Sequence, residues 1–273
     1  MEPAPGAPHP LVMGIVNVTP NSFSDGGRFL DATRAIEHAL AMRDDGADIV
    51  DVGGESTRPG SELVSADQEL ERVMPVLAAL VREGACVSVD TVKPDVMRAA
   101  IAAGAAIVND VNAFRAPGAV EVAAAASSAG VCIMHMQGTP ATMQEAPHYE
   151  DVVAEVSAFL LERATALEAA GIARSRIVLD PGFGFGKTLE HNRALFRALP
   201  KLRALGYPLL VGVSRKKMIG DLTGRAVDER ESGSVAAALL AAQNGASVLR
   251  VHDVRETVDA LKVWMNLQAG SAA

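Results

Sequence analysis

Nine polar residues stand at or just beyond the ends of short aliphatic runs: Asn17, Asp51, Asp90, Asn109, Asp180, Ser214, Lys216, Arg250 and His252. Asp110 and His135 occupy similar places. They divide into two chemistries. Asp90, Asn109 and Asp180 are rich in acceptors, and a buried carboxylate offsets its desolvation cost only by meeting donors or a cation. That set suits a ligand with several N–H groups. Lys216, Arg250 and His252, with Arg58 in "GGESTRPG", are donors suited to phosphate or carboxylate oxygens. A single polar strand end can be a helix cap, and the two sets could also pair with each other as a structural ion network. Two long polar stretches weigh against a purely structural role. "NVTPNSFSDGG" (17–27) and "GGESTRPGS" (53–61) exceed the about 2–6 residues of an ordinary connection and carry Asp25, Glu55 and Arg58.

"DPGFGFGKT" (180–188) imitates a nucleotide-binding phosphate loop, but the spacing fails: Pro181 stands where the first glycine should be. The stretch also opens on an aspartate, which would repel an anion. The chain has no HExxH, no paired CxxC and no tight carboxylate cluster, which argues against a protein-caged transition metal. A magnesium ion held mostly by substrate phosphate oxygens, with one protein oxygen from Asn17, is compatible with how that ion binds.

The elements that position these residues alternate. β-rich runs recur at 11–18, 47–53, 86–91, 105–111, 130–136, 176–182, 208–214 and 246–253. Between them lie segments with apolar residues three and four apart, such as "TRAIEHALAMRDDGA" and "EVSAFLLERATALEAAG", which predict amphipathic helices. Gly46, Gly84, Gly104, Gly130, Gly171 and Gly245 are expected to stop helices in the left-handed conformation. Strands apolar on both faces and separated by helices imply a parallel sheet under a helical coat. Eight such units predict an α/β fold, a single-domain (β/α)8 TIM barrel over 11–268, in which chemistry sits at the carboxyl ends of the strands. An open doubly wound sheet would need a glycine-rich dinucleotide turn after the first strand. That place holds "NVTPNSFSDGG" instead.

The 4% aromatic and 49% hydrophobic content predicts an aliphatic core, and the net charge of −8 argues against a nucleic-acid partner. Cys86 and Cys132 lie in Val/Ile-rich runs, so reduced thiols and a cytoplasmic protein are expected. No apolar run approaches the ~20 residues that span a bilayer. "MEPAPGAPHP" lacks the basic and apolar regions of a secretory signal. Disordered tails are expected at 1–10 and 269–273.

The stretches "MGIVNVTPNSFSDGG", "DVGGESTRPG", "SVDT", "NDV", "MHMQGTP", "DPGFGFGKT", "GVSRKKMIG" and "RVHDV", in this order, identify a resemblance to the bacterial dihydropteroate synthase family of folate biosynthesis. It runs from about Leu11 to the last helix. Asn21 departs from it, standing where the family often has an acidic residue. The resemblance implies a transferase that joins (7,8-dihydropterin-6-yl)methyl diphosphate to 4-aminobenzoate by a dissociative step, with Mg2+ at Asn17, sulfonamides as competitors and a homodimer. By the same resemblance, Asp25, Asp51, Lys216 and Arg250 take part in catalysis. Thr57, Asp90, Asn109, Asp180, Lys216, Arg250, Val251 and His252 bind the pterin diphosphate, and Thr57, Arg58, Pro59, Phe185 and Ser214 bind aminobenzoate. A pterin-binding module of a corrinoid methyltransferase shares the barrel but has no diphosphate to hold. The "SRKK" and "RVH" stretches favour the synthase over it, and no motif residue looks spoiled as in a non-catalytic relative.

Overall fold

A computed structural model describes residues 10–19, 27–56 and 64–268. Asn21, Asp25, Thr57, Arg58 and Pro59 lie outside the described residues, as do 1–9 and 269–273 of the expected tails. The strands are β1 (Leu11–Asn17), β2 (Ile49–Gly53), β3 (Val87–Asp90), β4 (Ile107–Asp110), β5 (Gly130–Met134), β6 (Ile177–Asp180), β7 (Leu210–Val211) and β8 (Val248–Val251). The helices are α1 (Gly27–Asp44), α2 (Ala66–Arg82), α3 (Pro94–Ala102), α4 (Ala119–Ala125), α5 (Val152–Ala169), α6 (Leu189–Arg197), α7 (Leu199–Arg203), α8 (Lys217–Thr223), α9 (Glu231–Gln243) and α10 (Val254–Gln268).

All eight strands are parallel, in the order β6-β5-β4-β3-β2-β1-β8-β7. A bridge between Leu179 and Leu209 brings the two ends together, giving the expected barrel. This seam is the thinnest part of the wall. The run 208–214 shortens to two strand residues because Pro208 has no N–H for the ladder and the Lys216 N–H turns back onto the Val213 carbonyl at 3.3 Å.

Gly46, Gly84, Gly104, Gly171 and Gly245 take positive φ after their helices, as expected. Gly130 does not: α4 ends at Ala125, the next residue Ala126 is extended, and Gly130 opens β5 as its first paired residue. Cys86 and Cys132 are free thiols, and among the described residues no helix is long and apolar enough to cross a membrane.

Side chains two apart on a strand share a face. Met13, Ile49, Ile107, Cys132, Val178, Leu210 and Val248 form one buried cluster inside the barrel, separate from the larger core between strands and helices. Two residues further along four of those strands stand Asp51, Asn109, Asp180 and Arg250. The apolar layer therefore places a polar layer directly above itself, at the carboxyl end.

Candidate functional site

Arg250 organises one side of the mouth. From β8 its guanidinium crosses the barrel, donating from Nε to Asp51 Oδ2 at 2.6 Å and from Nη2 to Asp90 Oδ2 at 2.7 Å. Asn109 Nδ2 donates to the same Asp51 oxygen at 3.1 Å. The acceptor and donor sets are thus partly in contact, as the ion-network reading allows. Pairing leaves capacity over, however. Asp51 is 0% exposed, and its Oδ1 has no hydrogen-bond partner among the described residues. An orphan buried carboxylate oxygen is costly unless a donor reaches it. Burial pushes the Asp90 carboxyl up to about 7, against the pull of Arg250 and with a further push from Asp51.

Asp180 closes β6 on another side of the mouth. Its Oδ1 accepts the Gly182 N–H at 2.8 Å, and among the described residues Oδ2 accepts no hydrogen bond. Burial raises its pKa, while Lys216 and the Gly182 bond oppose the rise. Lys216 donates from Nζ to the Phe183 carbonyl, and its Nζ sits 4.7 Å from the centroid of the Phe185 ring. Burial brings its ammonium down to about 8, with Asp180 opposing the fall. A carboxylate with an open oxygen, a nearby ammonium and an aromatic wall can read a flat heterocycle through a donor edge and a carbonyl.

The glycines of "DPGFGFGKT" have a definite job. Gly182, at φ +68, lies so close to the strand-five exit that a Cβ would sit 1.9 Å from the His135 carbonyl oxygen. At Gly186, φ +63, a Cβ would sit 2.6 Å from the Gln137 carbonyl oxygen. They let two backbones touch rather than cradle a phosphate. Lys187 completes this junction from below, donating to His135 Nδ1 at 2.9 Å and to the carbonyls of His135 (3.3 Å) and Phe185 (3.0 Å). Burial and Lys187 push His135 down to about 3, so a neutral ring accepts from the ammonium, and burial lowers Lys187 to about 7. His135 therefore faces this junction, against Phe159 and Tyr149.

The strand-seven and strand-eight exits are tied together. Ser214 Oγ lies 3.0 Å from His252 Nδ1 and accepts the His252 N–H at 3.2 Å. Arg215, at φ 56, pairs through its guanidinium with Asp253, while its N–H donates to Ser234 Oγ at 2.9 Å. This holds Ser214 and Lys216 on either side of a left-handed residue. Asn17 ends β1 half-buried, in register with Gly53, and offers an amide oxygen. Val251 is placed differently from its neighbours. Alternation turns its side chain into the core between strands and helices, which leaves only its backbone near the mouth. Asp110 also does local work, accepting the N–H groups of Asn112 (2.6 Å) and Phe114 (2.7 Å) in the turn after β4.

Sequence reasoning found the mouth residues but missed their fasteners: Lys187 with His135, Arg215 with Asp253, and Lys93 with Glu55 and Glu69. The signal available for Lys187 was a lysine in a glycine-rich turn that fails as a phosphate loop. The others are ordinary charged residues far apart in sequence.

A family model described as pterin binding enzyme matches residues 13–252. The chain is 53% identical over 256 residues to the dihydropteroate synthase of Escherichia coli, covering 93% of this chain and 90% of that protein. It is 54% identical over 263 residues to that of Neisseria meningitidis serogroup C, covering 95% and 93%. Among solved structures, the Xanthomonas albilineans dihydropteroate synthase with 4-aminobenzoic acid superposes with a TM-score of 0.91 at 55% identity, over 96% of this chain and 94% of that one. The Burkholderia cenocepacia enzyme complexed with 7,8-dihydropteroate gives 0.87 at 49% identity, over 95% and 92%.

Proposed function

Because the chain belongs to the dihydropteroate synthase family of pterin-binding enzymes, we propose that it condenses (7,8-dihydropterin-6-yl)methyl diphosphate with 4-aminobenzoate, giving 7,8-dihydropteroate and diphosphate. The observation that carries the assignment to this mouth is the buried Asp180 carboxylate, bonded through one oxygen to Gly182 and open at the other, next to a lysine and an aromatic ring. A pterin presents a ring N–H beside an exocyclic amine, and a carboxylate accepts that pair. Lys216 takes the carbonyl edge. Asp90, Asn109 and the orphan oxygen of Asp51 meet the remaining ring nitrogens, and Arg250 flanks the ring.

The step needs no protein nucleophile. The C–O bond breaks, its electron pair leaves with the diphosphate, and the methylene cation is conjugated to the electron-rich pterin. Carboxylates at the mouth favour that cation, while Arg250, His252 and the peptide at Val251 stabilise the departing anion. The aniline nitrogen then attacks the methylene carbon and sheds a proton. Ser214 and Phe185, with Thr57, Arg58 and Pro59, hold the aminobenzoate, and Asp25 takes part in catalysis. A lone amide oxygen from Asn17, at the end of β1, would suit a magnesium ion that keeps mostly substrate and water oxygens. Such an ion would supply positive charge to the leaving diphosphate. A cytoplasmic homodimer completes the proposal.

Purified protein given the pterin diphosphate, 4-aminobenzoate and magnesium should release diphosphate and form dihydropteroate. No product under conditions in which the Escherichia coli relative turns over would overturn the assignment.

A further inference from the structure

In the turn after β6 the carbonyls of Phe183, Gly184, Phe185 and Gly186 each accept a different side chain. Phe183 takes Lys216 Nζ, Gly184 takes Gln144 Nε2 at 2.8 Å, Phe185 takes Lys187 Nζ at 3.0 Å, and Gly186 takes Tyr149 Oη at 2.8 Å. The Gly184 N–H is taken too, by Asn192 Oδ1 at 2.8 Å. Gln144 and Tyr149 both come from the connection 135–151 between β5 and α5, which is far longer than the about 2–6 residues of an ordinary connection. That length lets one connection reach the neighbouring turn at two points.

The turn needs such bracing. It passes through Gly182, Gly184 and Gly186, all at positive φ, and glycine has the most backbone freedom to lose. Phe185 lies between the last two, with its ring packed on a buried cluster of Val111, Met134, Met136 and Met143. Methionine is adaptable, so this backing fills space without fixing the angle of the ring. The backbone bonds supply what the backing lacks. Gln144 holds the residue before Phe185, and Tyr149 holds the residue after it. Tyr149 is buried and meets the His191 ring of α6 edge-on at 4.9 Å, so its hydroxyl is itself well placed. Asp180 is held differently, by its pairing with Met134 across the sheet and by the Gly182 N–H. The brace therefore bears on the aromatic wall and leaves the carboxylate to the strand.

We infer that Tyr149 and Gln144 are positioning residues for Phe185, acting on capture of 4-aminobenzoate and not on the pterin. The inference rests on the reading above that Phe185 holds the aminobenzoate. Both residues act through the backbone on either side of Phe185. Fixing the wall in advance removes part of the ordering cost that the incoming ring must otherwise meet.

Four variants test this: Tyr149→Phe, Gln144→Ala, Phe185→Ala and the double variant Tyr149→Phe with Phe185→Ala. The measurements are KM for 4-aminobenzoate, kcat at saturating amine, and calorimetric affinity for the pterin diphosphate. Tyr149→Phe keeps the buried ring and removes only the donor, and Gln144 is exposed, so both should fold. Tyr149→Phe should raise the aminobenzoate KM about fivefold, the worth of one neutral hydrogen bond, and Gln144→Ala about threefold. In both, kcat should stay within about twofold and pterin affinity should be unchanged, because the loss is in binding of one substrate. Once Phe185 is truncated, Tyr149→Phe should add less than about twofold, since the two changes then act on the same contact. A bond that only stabilises the fold would show neither the split between substrates nor this coupling. An unchanged aminobenzoate KM in either single variant, a parallel loss of pterin affinity, or a full effect of Tyr149→Phe in the Phe185→Ala background overturns the inference while leaving the activity standing. If Phe185→Ala itself leaves that KM unchanged, the reading of the aromatic wall fails and this inference with it.

Discussion

The barrel interior holds two layers one pleat apart, and they solve opposite problems. Below, Ile49, Ile107, Val178 and Val248 fill space with groups that need no partner, and each is buried. Above, Asp51, Asn109, Asp180 and Arg250 occupy the next inward positions on the same strands, where every atom must find a partner or wait for one. The lower layer is satisfied by packing alone. The upper is only partly satisfied, with Asp51 Oδ1 and Asp180 Oδ2 accepting no hydrogen bond among the described residues. A stable scaffold therefore carries the cost of an incompletely paired polar surface, and the incompleteness lies where a donor-rich heterocycle can complete it.

Removing the cation should separate the layers most sharply. Arg250→Met leaves Asp51 and Asp90 without the guanidinium that pairs with both. A loss of about 3–5 kcal/mol in unfolding free energy by urea titration is expected, together with loss of turnover. Ile107→Val, one pleat below Asn109, should cost only about 0.5–1.5 kcal/mol and leave pterin affinity intact. Equal effects of the two on pterin affinity would mean that the layers are not functionally distinct.

Asp180→Asn is a smaller change with a narrower target. The amide keeps the shape but replaces one acceptor by a donor, facing the N–H pair that the carboxylate would meet. Affinity for the pterin diphosphate, measured by calorimetry, should fall by about a hundredfold, the worth of one or two charged hydrogen bonds. Normal binding would show that the donor edge is read elsewhere.

How far the sequence reveals this division follows from the range over which each signal acts. The strand and helix rhythm is local, so eight β/α units and their order were legible, as were the five glycine stops that fall next to their helices. The upper layer was legible too, because Asp51, Asn109, Asp180 and Arg250 each stand as a polar residue at the end of an aliphatic run. Who bonds to whom was not. Arg250 reaches carboxylates on β2 and β3, 199 and 160 residues earlier in the chain, and nothing near Arg250 announces that reach. Gly130 misled because a glycine before a strand looks the same whether it ends a helix or begins a ladder. Lys187 was hidden because its partner is a histidine on the preceding strand exit, which only the crowding of Gly182 and Gly186 against that exit brings close.

The subtlest contrast is electrical, since the mouth holds groups that titrate near neutral pH while burial pushes the one thiol of the lower layer, Cys132, well above its ordinary range. Burial holds Lys216 at about 8, below its ordinary value of 10.5. Between those values the unfolded chain binds the proton more readily than the folded one, so this residue makes unfolding free energy rise with pH above about 8. Ligand binding should move the other way. The ammonium that meets the pterin carbonyl is present below about 8 and lost above it, so affinity for the pterin diphosphate should drop by about twofold from pH 7 to pH 8 and further beyond. Lys216→Met should flatten the affinity trend and reduce the rise in stability, leaving the part of that rise that belongs to Lys187, which burial brings down to about 7. Calorimetry and urea titration across pH 6.5 to 9.5 test this. Affinity and stability changing in the same direction, or an affinity trend that survives in Lys216→Met, would assign the titration to another group, with Asp90 at about 7 the nearest alternative. Asp90 differs in sign. Its folded pKa is raised, so its contribution to stability falls as pH rises and is already lost above about 7.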